Sequence, residues 1–136
     1  MRERSIHVRL VTTLLVGGAL AAGTQLAAHH SFGAMYMEAD SLEIDGTIVE
    51  FQYKNPHSWV YVNGSEGGLG TPKVYAAEWV STSQLEREGI EKGTLKAGDS
   101  VRVWGSPAKN VAEAKIHLKR IERSDGWNWR GRAQAR

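Results

Sequence analysis

The sequence contains no cysteine. Disulfides, thiolate metal sites and a cysteine nucleophile are therefore excluded. A small domain without disulfides has to be held together by its core, which about ninety ordered residues can do with little margin. An excess of positive charge is also missing from the part of the chain where it would count. The first 28 residues carry three Arg and one Glu, which is the whole of the formal net charge of +2. The remaining fourteen basic and fourteen acidic side chains balance, and residues 29–122 hold ten basic against thirteen acidic. A nucleic-acid binder needs a basic stripe on its folded body, so nucleic acid is not an expected partner. The mostly apolar run 10–23 is short of the roughly twenty residues a membrane span needs. No internal repeat is visible. The Gly-rich stretch 64–72, GSEGGLGTP, lacks the lysine and following helix of a phosphate-binding loop. No nucleophile elbow or other hydrolase signature frames the serines and histidines, which leaves an enzyme as the weaker class.

What is present begins with a secretion signal over residues 1–28. Arg2, Arg4 and Arg9 precede the apolar run, and Leu26-Ala27-Ala28 supplies a small residue for cleavage. Cleavage after Ala28 makes His29 the first residue, while a competing cut after Gly23 would leave Thr24 first. An uncleaved anchor is disfavoured by the short run. The expected location is the periplasm or the extracellular medium, with no stable membrane insertion after cleavage.

Residues 29–41 are too apolar for a free tail, with Phe32, Met35, Tyr36 and Met37, and are expected to pack on the domain as a leader. Residues 42–54 alternate as a long strand: Leu42, Ile44 and Ile48 share one parity, and Val49, Phe51 and Tyr53 the other. The switch follows Gly46 and predicts a bulge or bend. Further strands are predicted over 57–63, 73–80, 100–105 and 114–122. Val60 and Val62 lie opposite His57, Trp59 and Tyr61. In the third strand Val74, Ala76, Glu78 and Val80 are read as the inward set. Ser83 with Glu86 reads as a capping box for a short helix that stops at Gly89. The order predicts an all-β fold: a five-stranded OB-like Greek-key barrel over 42–122, with one short helix between strands 3 and 4. A five-to-six-stranded sandwich is the alternative. Residues 123–136, Arg-rich with Trp127 and Trp129, read as a loose tail.

Three motifs occur in order: His29-His30-Ser31-Phe32, Asn55-Pro56-His57 followed by Trp59, and Leu95-Lys96-Ala97-Gly98-Asp99. Together they resemble a family of small exported bacterial proteins classed only as a domain of unknown function. Members share a signal peptide, a histidine pair, an Asn-Pro-His segment and a Lys-Pro-Gly-Asp-like turn, where Ala97 here replaces the proline. The resemblance covers roughly residues 27–122. It implies export and a compact β domain, and no activity.

Four histidines survive removal of the signal, since His7 lies within it. An N-terminal His29 would offer an amine and a ring nitrogen to one metal, and one further imidazole would complete three nitrogens around Cu(II). His57, at a proline-stiffened strand entry, is the preferred partner, and His30 the nearer, less well oriented one. His117, between Lys115 and Lys119, reads as part of an exposed face. Adjacent histidines after a signal can equally be plain surface residues, and His57 a turn cap. Met35 and Met37 are soft enough for Cu(I) but are commoner as core filler.

A second constellation is aromatic. Trp59 and Tyr61 share a face of one strand, and Tyr75 and Trp79 a face of the next. Side by side they would form a patch for a protein or sugar partner, unless the leader covers them as core. Glu78 stands out as an inward carboxylate in need of a partner. The expected role is an exported binding protein, for copper or a similar transition metal through His29, His57 and His30. The alternative is a non-metal interaction module using Trp59, Tyr61, Tyr75 and Trp79. An oxidoreductase built on bound copper is a third reading.

Overall fold

The first strand sets the architecture. In the structure, a computed structural model that describes residues 32–132, β1 runs over Leu42–Gln52 and pairs along its length with β2, Trp59–Glu66. Its first part also pairs with β4, Ser100–Pro107. One strand can serve both halves of a barrel only if it bends. The bend is a bulge: the β1–β2 register shifts between Ile48 and Glu50, and the extra residue, Val49, is half exposed. Ile44 and Ile48 point inward before it, and Phe51 after it packs against the core. The predicted parity switch is therefore real, but the bulge falls at Val49 and not at Gly46. Gly46 has a different task. It is the register partner of Gly64, and a Cβ on Gly46 would stand 2.4 Å from the Asn63 carbonyl oxygen. Only glycines allow the two strands to cross this closely.

β3 spans Lys73–Glu78 and β5 Lys115–Arg123. The strand order is β3-β2-β1-β4-β5-β6, and β3 also pairs in parallel with β5, which closes the first five strands into a barrel. A short helix, α1 (Thr82–Arg87), lies between β3 and β4. This is the all-β, OB-like Greek-key barrel that the sequence predicts, not a sandwich. The interior is filled by apolar side chains from every strand, among them Ile44, Val60, Ala77, Val103, Ile116 and Ile121.

Three local expectations are corrected. The helix starts at Thr82, and its N-cap is Ser81, whose side chain makes no capping bond. Asn55 Oδ1 instead accepts from the Thr82 amide at 3.1 Å, so the cap comes from the β1–β2 turn and not from a Ser83–Glu86 box. Glu86 is occupied elsewhere, accepting from the Tyr53 hydroxyl. The stop at Gly89 stands, with φ of 75°. The supposed loose tail contains a sixth strand, β6, Asn128–Arg130, paired with β5. It places Trp129 edge-on against Trp79, 4.9 Å between ring centroids, which no pattern of three residues announces.

The chain divides into two compact units at residues 34 and 35. Of the first, the structure describes residues 32–34, which are helical. The second begins with residues 35–40, the part of the leader that packs on the barrel. Tyr36 bridges Ala108, the Met37 amide donates to the Pro107 carbonyl, and the Lys109 amide donates to that of Met35. Met35 itself is exposed. No helix among the described residues is long and apolar enough to cross a membrane.

Candidate functional site

Register alone aligns the site. Phe51, Val60, Ala77 and Ile116 are successive partners across β1, β2, β3 and β5, and this row faces the core. The neighbouring row, Gln52, Trp59, Glu78 and His117, must then face outward, because adjacent strand positions alternate. Glu78 is thus on the outside of the barrel. The expected inward set of β3 is reversed: Tyr75, Ala77 and the following Trp79 enter the core, while Val74 is half exposed. Both sets are apolar enough to have served, so alternation by itself could not choose.

Glu78 is nevertheless only 7% exposed. The Tyr36 hydroxyl donates to its Oε2, and His57 Nδ1 lies 2.7 Å from its Oε1. Both carboxylate oxygens are occupied, which is what a buried carboxylate needs. Burial first, and then the Glu78 bond, push the Tyr36 hydroxyl far above the ordinary tyrosine range. Tyr36 therefore remains a donor. His57 is held from its own backbone as well. Its neighbour Ser58 exchanges backbone bonds with the residues after Glu78 (Ser58 amide to Val80 carbonyl, 2.9 Å; Trp79 amide to Ser58 carbonyl, 2.8 Å). The ring is about one-third exposed, at 32%.

The other side of Tyr36 carries a second polar group. The His117 ring lies 5.6 Å from the Tyr36 ring, and its Nδ1 is 2.8 Å from Glu38 Oε1. Lys119 Nζ donates to the other Glu38 oxygen. Burial lowers the His117 pKa more than the Glu38 bond raises it, and the Lys119 charge adds to the lowering. For Glu38, burial pushes upward, but the bonds from Lys119 and His117 outweigh it and leave the carboxyl below its usual range. His117 is therefore not on an open face, as its lysine neighbours had implied. Its side chain is 14% exposed.

The four aromatic residues do not make one surface. Trp59 and Tyr61 lie on the outer face of β2, with Lys115 Nζ 5.7 Å from the Trp59 ring centroid. Tyr75 and Trp79 are core, because they are register-matched to, or follow, the inward row. The Trp79 indole N–H is buried with no hydrogen-bond partner among the described residues.

Of the expected metal ligands, His57 is placed, and His29 and His30 lie outside the described residues. Among the described residues, no group of three His, Asp or Glu side chains is arranged to hold a metal. Sequence reasoning singled out His57 and the anomaly of Glu78, but not that they meet. It missed Tyr36, Glu38 and His117 as members of one cluster. Tyr36 and Glu78 are 42 positions apart and Glu38 and His117 are 79 apart, so no local spacing signals either contact.

No curated protein and no solved structure matches the chain. Residues 18–117 match a family of unknown function, DUF6152, over well more than half of the sequence. The matched stretch includes Tyr36, His57, Glu78 and His117 and ends before β6. The chain therefore belongs to the family of unknown function DUF6152.

Proposed function

We propose that this chain is an exported binding protein that takes a transition metal of the copper type through His57, with His29 and His30 supplying the further nitrogen ligands. The observation that carries the reading is the bond between His57 Nδ1 and the buried Glu78. A ligating histidine typically gives its second ring nitrogen to a carboxylate, which fixes the ring and strengthens the nitrogen that meets the metal. Imidazole and amine nitrogens suit copper, and also zinc and nickel. The test is Cu(II) titration of the exported protein, with its first residue established by intact mass. Binding should collapse in His57→Ala, and also when one residue is added before His29. Unchanged affinity in both variants rules the reading out.

A second reading has one observation in its favour. Trp59 and Tyr61 stand on the outer face of strand 2, where OB barrels commonly bind their ligands. This suggests an interaction module for a protein or sugar partner in the periplasm. Such a partner should be bound equally well with a chelator present and lost in Trp59→Ala. Tyr75 and Trp79 would take no direct part, since both are core.

A further inference from the structure

Glu78 could enter a metal site in two ways, as a ligand or as the group that holds a ligand in place. Its surroundings separate the two. One oxygen receives the Tyr36 hydroxyl and the other lies 2.7 Å from His57 Nδ1. Each oxygen keeps a second lone pair, but the carboxylate is 7% exposed and covered by these two donors, so a metal could reach it only by displacing Tyr36 or His57. Tyr36 is not a movable partner. It is 1% exposed, its backbone bridges Ala108, and its ring rests beside His117. Nor is His57 loosely attached, because Ser58 beside it is tied by backbone bonds to the residues after Glu78. Tyrosine, carboxylate and imidazole are thus fixed from three segments of the chain: the leader, β3 and the entry to β2.

We infer that Glu78 and Tyr36 are positioning residues for His57, holding its ring with the proton on Nδ1 so that Nε2 is the nitrogen that meets a metal. This rests on the proposed metal-binding function and goes beyond it in three respects. It names the ligating atom. It assigns Glu78 to the outer shell of the site. It also gives Tyr36, 42 positions from Glu78, a role in metal affinity without contact to the metal. A site built in this way presents neutral nitrogen and not carboxylate oxygen, which suits copper, nickel or zinc and not magnesium or calcium.

The experiment has two parts. In the metal-free protein, nitrogen-15 NMR of the imidazoles reads the His57 tautomer directly. The expected result is the Nδ1–H form in the wild type and a mixture in Glu78→Leu. In the second part, Cu(II) affinity is measured by competition for the wild type, Tyr36→Phe, Glu78→Gln and Glu78→Leu. Loss of an outer-shell partner typically weakens binding about 10- to 100-fold, and Glu78→Leu should fall in that range. Glu78→Gln should recover part of the loss, since its amide oxygen can still accept from Nδ1–H, and Tyr36→Phe should lie between the wild type and Glu78→Leu. An Nε2–H tautomer in the wild type overturns the inference, as does wild-type affinity in both Glu78 variants. If Glu78→Leu does not fold, the wild-type tautomer, Glu78→Gln and Tyr36→Phe decide. A wild-type protein that takes no copper, nickel or zinc removes the function reading and this inference with it. Tight binding that is indifferent to Glu78 removes the inference alone.

Discussion

Two carboxylate clusters lie on the outside of this barrel, and water treats them differently. Across β1, β4 and β5, Arg102 pairs with Asp45 at 2.6 Å and Glu43 at 3.3 Å, Trp104 donates to Glu43, and Arg120 lies over the Trp104 ring. The Arg102 side chain is 51% exposed. On the β2–β3–β5 side, Glu78 makes two bonds and is almost sealed. The first cluster has more charges and more pairings. The second has more at stake, because water can readily replace a lost partner in the first and has little access to Glu78 and Tyr36 in the second. Counting ion pairs would rank the two in the wrong order.

The comparison breaks most readily at Glu78. Glu78→Leu leaves the buried Tyr36 hydroxyl without an acceptor, and we expect a loss of about 3 kcal/mol in urea unfolding. A loss no larger than that of a surface variant would mean the cluster is as forgiving as the exposed ladder. Tyr36→Phe removes one bond and keeps the ring packing, so its loss should be smaller, about 1–2 kcal/mol by the same measurement.

Acid should act on the sealed side before the open one. The His117 pKa is lowered from its ordinary 6.5, mainly by burial, so the unfolded chain takes up a proton first as pH falls. The contribution of His117 is complete above about 6.5 and is lost as pH drops through its lower folded value. Glu38, also lowered, adds to the loss below its ordinary 4.5. Unfolding midpoints between pH 7 and 5 should decline in the wild type and decline less in His117→Gln. An equal slope in both assigns the acid sensitivity elsewhere. The smallest effect is expected at Arg102→Ala. Its midpoint should match the wild type closely, and any difference at low salt should vanish in high salt.

Much of the barrel was legible because its strands carry their own punctuation. The parity switch in β1 reports a bend that any closed small barrel requires, and the order of strands with one helix between the third and fourth is specific enough to indicate the topology. His57 was legible through the proline before it. Glu78 was legible as an anomaly, but its face was not, since Val74 and Val80 beside it are as apolar as Ala77 and Trp79. Period-two reasoning needs one polar face to choose between the two, and β3 has none. β6 was missed for another reason. Three residues cannot show a period, and Trp129 is buried only because Trp79 is there to receive it.

By itself, then, the sequence determined the features that neighbours along the chain dictate: strand alternation, turn chemistry, the absence of thiol chemistry and the distribution of charge. Membership of the cluster around Glu78 was decided by tertiary structure. The β2–β3 pairing sets His57 beside Glu78, and the β3–β5 pairing brings His117, and with it the leader's Tyr36 and Glu38, to the same place. A hydrogen bond between residues dozens of positions apart depends on register and closure, and no local pattern encodes either.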